Sequence, residues 1–190
     1  MHQNESDREL FDRDLESFIP SRIFDAHAHL YRACFFSGKL PELVTMFPEM
    51  GLSEFLGIIE DITPGRKTSG LFFGWPHPDV DVEANNRFVA EQVRLDPNSR
   101  AQMLVTPSMD PEFIRETVRR DGFVGLKCYH VYSPENPTFS SHIPAYLPEE
   151  QVRIAHEEGL SITLHMVRAR AMADTSNQEI IRFWATKYPN

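Results

Sequence analysis

Residues 23–30 read Ile-Phe-Asp-Ala-His-Ala-His-Leu, so an acid and two histidines occur at every second position of an otherwise apolar run. In a β-strand successive side chains point to opposite faces, and Asp25, His27 and His29 are therefore predicted to share one face. In a helix, residues two apart point in different directions. The pattern predicts a strand that presents two imidazoles close enough to hold one metal ion.

Composition limits the classes of partner. The chain has 190 residues, of which 41% are hydrophobic and 25% charged, which is typical of one globular unit. Its net charge of −9 argues against nucleic acid and anionic membrane surfaces, since both attract basic proteins. The apolar runs are too short to span a bilayer. Cys34 and Cys128 make no disulfide framework, so we expect a cytoplasmic protein.

Beyond residue 21 the sequence alternates between strand and helix patterns. Residues 1–21 are acidic and polar, and they predict a mobile arm or a short surface helix. Strands are predicted over residues 22–30, 70–75, 101–106, 123–129 and 160–166, with helices between them. This order predicts an α/β fold with a parallel sheet, either open and doubly wound or part of a barrel. No glycine-rich turn follows the first strand, so a dinucleotide-binding fold has no support.

Polar side chains recur near the C-terminal ends of the predicted strands, where parallel α/β folds build their active sites. Lys127 lies on the fourth predicted strand and His165 on the fifth. We predict that neutral imidazoles from His27, His29 and His165 bind zinc, iron, cobalt or manganese, and that a bound water becomes a nucleophile. Asp25 lies deeper on its strand and is expected to orient an imidazole through its second nitrogen.

Each of these residues also has a structural interpretation. A single strand histidine such as His165 is more often a hydrogen-bonded core residue than a ligand. Lys127 could pair with a carboxylate, and a buried lysine requires some partner. His130 and His77 are expected in loops or on the substrate side of the site before they are expected to bind metal. Cys128 alternates away from Lys127 and is expected to be a core thiol.

Three segments together carry a resemblance to a known family: Phe24-Asp25-Ala26-His27-Ala28-His29-Leu30, Gly125-Leu126-Lys127 and Leu164-His165-Met166-Val167-Arg168. In that order they resemble the amidohydrolase superfamily, and most of all its amidohydrolase-2 branch of metal-dependent TIM-barrel hydrolases and decarboxylases. The resemblance begins near residue 22 and runs to residue 190.

The resemblance implies a (β/α)₈ TIM barrel with a metal site at its C-terminal mouth. It places one divalent metal, zinc in the first instance, on His27, His29 and His165. Lys127 falls where some members carry a carboxylated lysine that bridges a second metal, although an unmodified lysine in contact with substrate is an equal alternative.

This chain supplies about five β/α units, whereas a complete barrel needs eight strands. We therefore expect residues 22–190 to form the N-terminal five strands of such a barrel, with open sheet edges through which it could form oligomers. The leading hypothesis is a metal-dependent hydrolase whose partner is a small-molecule substrate, a small polar compound in which it cleaves a C–N or C–O bond. One alternative is a metal-dependent decarboxylase in which Arg168 anchors an anionic substrate. Another is a non-catalytic remnant that binds metal or a partner.

Overall fold

The computed structural model describes residues 5–190, which contain six β-strands and eight α-helices. The strands are β1 (Arg22–Arg32), β2 (Glu49–Met50), β3 (Lys67–Gly74), β4 (Arg100–Val105), β5 (Gly125–Cys128) and β6 (Ser161–Leu164). The helices are α1 (Glu5–Leu10), α2 (Glu42–Met46), α3 (Leu52–Ile62), α4 (Val82–Val93), α5 (Pro111–Asp121), α6 (Ile143–Tyr146), α7 (Glu149–Glu157) and α8 (Thr175–Lys187). None of these helices is long and apolar enough to cross a lipid bilayer.

The strands form one sheet in the order β2-β1-β3-β4-β5-β6, and this sheet curls into a half-barrel. From β1 through β3, β4 and β5 to β6, all neighbours are parallel, which confirms the predicted α/β fold with a parallel sheet. Only β2 runs antiparallel, against the end of β1. Strand β2 was not predicted, because two residues are too few to show an alternating pattern.

The predicted N-terminal arm begins with residues 1–4, which lie outside the described residues. Helix α1 continues into a π-helical turn, Phe11–Leu15, so residues 5–15 are helical. The Phe11 side chain is buried, and the Arg66 guanidinium lies 5.5 Å from the centre of its ring. Arg66 also donates a hydrogen bond of 2.7 Å to the Glu16 carbonyl oxygen. These contacts attach the N-terminal helical segment to the start of β3.

The main hydrophobic core lies between the sheet and the helices that cover one of its faces. Helix α5 shows why these segments fold as they do. The Asp110 carboxylate accepts hydrogen bonds from the first free backbone N–H groups of the helix, and Pro111 occupies its first position. Gly122 ends the helix with a φ of 76°, which favours glycine. The core contains side chains from both layers, among them Leu30, Phe72, Phe88, Met103, Ile114, Leu126 and Ile154.

Two buried asparagines of α4 hold the C-terminal ends of the central strands. The Asn85 side chain donates to the Leu30 carbonyl oxygen at 2.9 Å and accepts from the Trp75 N–H at 3.1 Å. The Asn86 side chain donates to the Leu104 carbonyl oxygen at 2.8 Å and accepts from the N–H of the same residue at 2.9 Å. The two amides therefore satisfy backbone groups at the edge of the sheet where the predicted site residues lie.

Candidate active site

The register of β1 against β3 shifts between Asp25 and Ala28, which is a β-bulge. The extra residue breaks the strict alternation from which Asp25, His27 and His29 were predicted to share one face. Asp25 Oδ1 accepts a hydrogen bond of 2.9 Å from the backbone N–H of His27. The structure thus gives Asp25 a backbone contact at the bulge, where a contact with an imidazole nitrogen was expected.

His27 and His29 follow the bulge and lie next to each other. Their ring centres are 5.4 Å apart, and each ring meets the Phe73 ring edge to face at 4.7 Å between centres. Partial burial and the positive charge of Lys127 lower the pKa of His27 below its usual value. His27 is therefore a neutral imidazole at neutral pH, which is the form that binds metal.

His29 is the more tightly held of the two imidazoles. Its Nδ1 lies 3.0 Å from the carbonyl oxygen of Gly74, at the end of β3. Burial lowers the pKa of His29 to about 4, so the ring is neutral at neutral pH. Since a carbonyl oxygen can only accept, Nδ1 must carry the proton, and Nε2 keeps a free lone pair. This arrangement fixes the tautomer and orientation that a metal ligand requires.

Lys127 lies on β5 and is only 1% exposed. Its Nζ lies 4.7 Å from the centre of the Phe73 ring and 5.5 Å from that of Tyr129. Among residues 5–190 no carboxylate forms an ion pair with it, so its partners are aromatic faces rather than an acid. Burial lowers the pKa of Lys127 to about 8. The neighbouring Cys128 is a buried thiol, as predicted.

His165 follows β6 and is stacked on Tyr129, with 3.9 Å between ring centres. The centre of the His130 ring lies 5.1 Å from that of His165. The buried Tyr146 hydroxyl donates a hydrogen bond of 2.9 Å to the His165 carbonyl oxygen and holds the backbone there. Burial is the main cause that lowers the pKa of His165 to about 4, and positive charge on His130, Lys127 and His27 lowers it further.

His130 and His77 occupy different surroundings in the loops at this end of the sheet. His130 is 2% exposed, and its Nδ1 lies 3.1 Å from the Thr138 hydroxyl oxygen. It joins the aromatic group around His165. His77 Nδ1 accepts a hydrogen bond of 3.2 Å from the Asp79 N–H in its own loop. The structure therefore brings His130 to the candidate site and gives His77 a local turn contact.

Arg168 braces two loops. Its Nε lies 3.1 Å from Asp174 Oδ1, and a terminal nitrogen lies 3.2 Å from the Ser140 carbonyl oxygen and 3.0 Å from His142 Nε2. Its φ of 75° lies in the left-handed region, which costs energy in a residue other than glycine. The guanidinium that was predicted to anchor a substrate anion is thus engaged with protein groups.

The side chains of His27, His29 and His165 are chemically suited to bind a metal ion. Among residues 5–190 no group of three or more His, Cys, Asp or Glu side chains is placed to hold a metal ion together. The structure brings His27 and His29 side by side, and it couples His165 to both of them electrostatically. All three have lowered pKa values and so offer neutral nitrogen donors, which suit zinc and related ions.

Comparison with known proteins informs the fold. No protein-family model and no curated protein sequence matches the chain. The structure is similar to that of amidohydrolase 2 from Bifidobacterium longum subsp. infantis, with a TM-score of 0.50 and 15% sequence identity. The chain has an amidohydrolase-like fold. The match covers 88% of this chain and 58% of that protein, and at this identity it shows the fold alone.

Within this amidohydrolase-like fold, sequence reasoning missed the residues that position the histidines. The Gly74 carbonyl, the Phe73 ring and the Tyr146 hydroxyl all act on imidazoles or on their backbone. Only Phe73 left a usable signal, because it lies in the apolar run that predicted the second strand. A backbone carbonyl leaves none, since every residue carries one.

Proposed function

We propose that this chain acts as a metal-dependent hydrolase on a C–N or C–O bond of a small polar substrate. The observation that supports this most directly is the His29 imidazole, neutral and hydrogen-bonded through Nδ1 to Gly74, beside the neutral imidazole of His27. Both lie toward the C-terminal end of β1 in a parallel sheet, the end at which such folds carry their chemistry.

The proposed ligands are His27 and His29 from β1, with His165 from the opposite side of the half-barrel. The chemistry supplied by a divalent ion held there is Lewis acidity, which lowers the pKa of water toward neutrality and polarises a carbonyl. Gly74 keeps His29 in the ligating tautomer, and the stack on Tyr129 holds the His165 ring in one orientation. As an alternative to the unmodified lysine, a carboxylated Lys127 would hold a second ion.

Lys127 is proposed to contact the substrate. Its ammonium group lacks a carboxylate partner among the described residues, so an anionic or carbonyl oxygen of a substrate would compensate its burial. With a pKa of about 8, it is mostly protonated at neutral pH and can also release a proton as the solution becomes mildly alkaline. His130 is proposed to line the same space, because it lies beside His165.

Metal binding tests this proposal. The protein is stripped with a chelator and supplied with Zn²⁺, and the bound metal is counted after gel filtration. We expect about one ion per chain. His27→Gln and His29→Gln should each weaken binding at least about tenfold, while His156→Gln on α7 should match the wild type.

A wild-type chain that retains no transition metal after supplementation would overturn the proposal and favour the non-catalytic alternative. Equal metal binding by the wild type and both β1 variants would also contradict it, since the metal would then lie elsewhere.

The unpaired Lys127 also favours a second candidate, a metal-dependent decarboxylase of a small carboxylic acid. A buried ammonium beside aromatic rings is suited to hold a substrate carboxylate. Carbon dioxide release from a panel of carboxylic acids, compared with hydrolysis of amide and ester substrates, separates the two reactions. Lys127→Met should abolish whichever activity is found.

A further inference from the structure

A strap formed by residues 133–142 covers one side of the candidate site. In its middle, the Thr138 hydroxyl oxygen lies 3.1 Å from His130 Nδ1, and the centre of the Phe139 ring lies 4.4 Å from that of His130. His130 in turn lies beside His165, one of the proposed ligands. Phe139 is 68% exposed, whereas His130 is only 2% exposed. The strap thus keeps His130 out of solvent with a cover that is itself in contact with solvent.

The end of the strap is fastened by His142 to Arg168, which lies in the loop after β6. Arg168 Nη1 is 3.0 Å from His142 Nε2 and donates to it, since a guanidinium has no acceptor. His142 Nδ1 lies 3.3 Å from Glu135 Oε2, within the strap, and therefore holds the proton. These two contacts, called the latch below, are those of a neutral imidazole, which has one lone pair and one N–H.

A proton on His142 is incompatible with half of the latch. Nε2 would then present an N–H to the Arg168 guanidinium, so the hydrogen bond is lost and two cationic groups face each other with their nitrogens 3.0 Å apart. The contact with Glu135 survives, because a carboxylate accepts equally from a charged ring. The link from the strap to Arg168 is therefore the contact that a proton removes.

The other charged groups around the latch keep their charge in mildly acidic solution. Asp174 lies 3.1 Å from Arg168 Nε, and a hydrogen bond from Ser176 is the main cause that lowers the pKa of Asp174 to about 2. The pKa of Glu135 lies below its usual value, because its carboxylate accepts a backbone N–H at the end of the strap. His130, which the strap covers, has its pKa lowered by burial and so takes up a proton only at more acidic pH.

We propose that residues 133–142 are a pH-sensitive gate to the proposed metal site, closed while His142 is neutral and released from Arg168 when His142 is protonated. This inference rests on the proposed function only for what lies behind the gate, since the latch is built from residues outside the site. Exposed histidines take up a proton between about pH 5.5 and 7.5, so the gate opens over this range as the solution is acidified.

Amide hydrogen exchange of the metal-free protein tests the latch without any activity. Protection of residues 138–142 is compared at about pH 5.5 and 7.5, after correction for the pH dependence of chemical exchange. We expect protection to be at least about threefold weaker at the lower pH. His142→Gln is the matched variant, because glutamine can accept from Arg168 and donate to Glu135 but does not titrate. It should stay protected at both pH values, whereas His142→Leu should be weakly protected at both.

Chemical modification of His130 tests whether release of the latch uncovers the site. At about pH 7.5, diethyl pyrocarbonate should modify His130 in His142→Leu at least about threefold faster than in the wild type, and His142→Gln should match the wild type. The reagent is kept at levels that modify each chain no more than once, and peptide mass spectrometry locates the modified residue. Circular dichroism verifies the fold, and Arg168→Gln gives the same comparison if His142→Leu unfolds.

Equal protection of the wild-type strap at both pH values would overturn the proposal. So would a pH effect of the same size in His142→Gln, because another group would then be responsible. A released strap without faster modification of His130 would overturn its role as a gate. None of these measurements requires bound metal, so a failure of the gate and a failure of metal binding are observed separately.

Discussion

At the scale of single residues, His29 shows how surroundings set the chemistry of a side chain. The Gly74 carbonyl fixes its tautomer, and burial keeps the ring neutral with a pKa of about 4. His165 reaches a similar pKa through burial and nearby positive charge. Both rings are therefore available as nitrogen donors across the physiological range of pH.

We predict that acid destabilises the metal-free protein through these two histidines. An unfolded histidine binds a proton near pH 6.5, whereas His29 and His165 in the folded state do so only near pH 4. Between pH 4 and pH 6.5 the unfolded state binds more protons than the folded state. The free energy of unfolding therefore rises with pH over this range and levels off above pH 6.5. Urea unfolding at several pH values measures this free energy.

Carboxylates add a change in the same direction at the acidic end of that range. The comparison is therefore with the double variant His29→Gln, His165→Gln, in which the slope between about pH 4 and 6.5 should be smaller. Equal slopes in the two proteins would contradict the prediction.

At the scale of elements, α4 organises the C-terminal ends of the strands. Pairing between β3 and β4 reaches only Ala101 on β4. Beyond that point the Asn86 amide supplies the hydrogen bonds that a neighbouring strand would give to Leu104. The strands can thus separate at the mouth of the half-barrel without leaving buried backbone groups unpaired.

Asn86→Ala should lower the free energy of unfolding by about 2–4 kcal/mol, because it removes two buried hydrogen bonds and leaves the Leu104 N–H and C=O unpaired. Chemical denaturation measures this loss. Asn98→Ala is the control, since Asn98 is an exposed loop residue and its loss should change stability by no more than about 0.5 kcal/mol. Similar losses of unfolding free energy in both variants would contradict the prediction, because the buried Asn86 hydrogen bonds would then contribute no more than the exposed Asn98 side chain does.

The loops that carry Ser140 and Asp174 should separate when Arg168 is shortened. Arg168→Gln removes the contacts to Asp174 and His142, so amide hydrogen exchange over residues 139–142 should become faster. Arg170→Gln, at an exposed neighbouring position, should leave exchange there unchanged. Unchanged exchange in the Arg168 variant would mean that the backbone alone holds these loops.

At the scale of the whole molecule, the candidate ligands come from opposite sides of the half-barrel. β1 lies near one side of the described sheet, whereas His165 follows β6 on the other side. A metal held by all three histidines would therefore connect strands that are separated by β3, β4 and β5.

We predict that Zn²⁺ stabilises the folded chain, since a ligand that binds only the folded state adds about 2.7 kcal/mol at one hundred times its dissociation constant. The thermal midpoint should then rise by about 5–10 °C. His165→Gln should lose most of this shift if the site uses three imidazoles, whereas His156→Gln should keep it. A full shift in His165→Gln would limit the site to the two histidines of β1.

The sequence alone determined the parallel strands, the intervening helices and the end of the sheet where His27, His29, Lys127 and His165 lie. These features follow from local periodicity and from capping residues such as Asp110, because the positions that decide them are close together in the chain.

Only the tertiary structure decided how these residues are arranged. The bulge that redirects Asp25, the Gly74 carbonyl that holds His29 and the aromatic faces around Lys127 depend on the register between strands far apart in sequence. A residue pattern encodes the period of a strand but not its partner, and the partner sets these contacts.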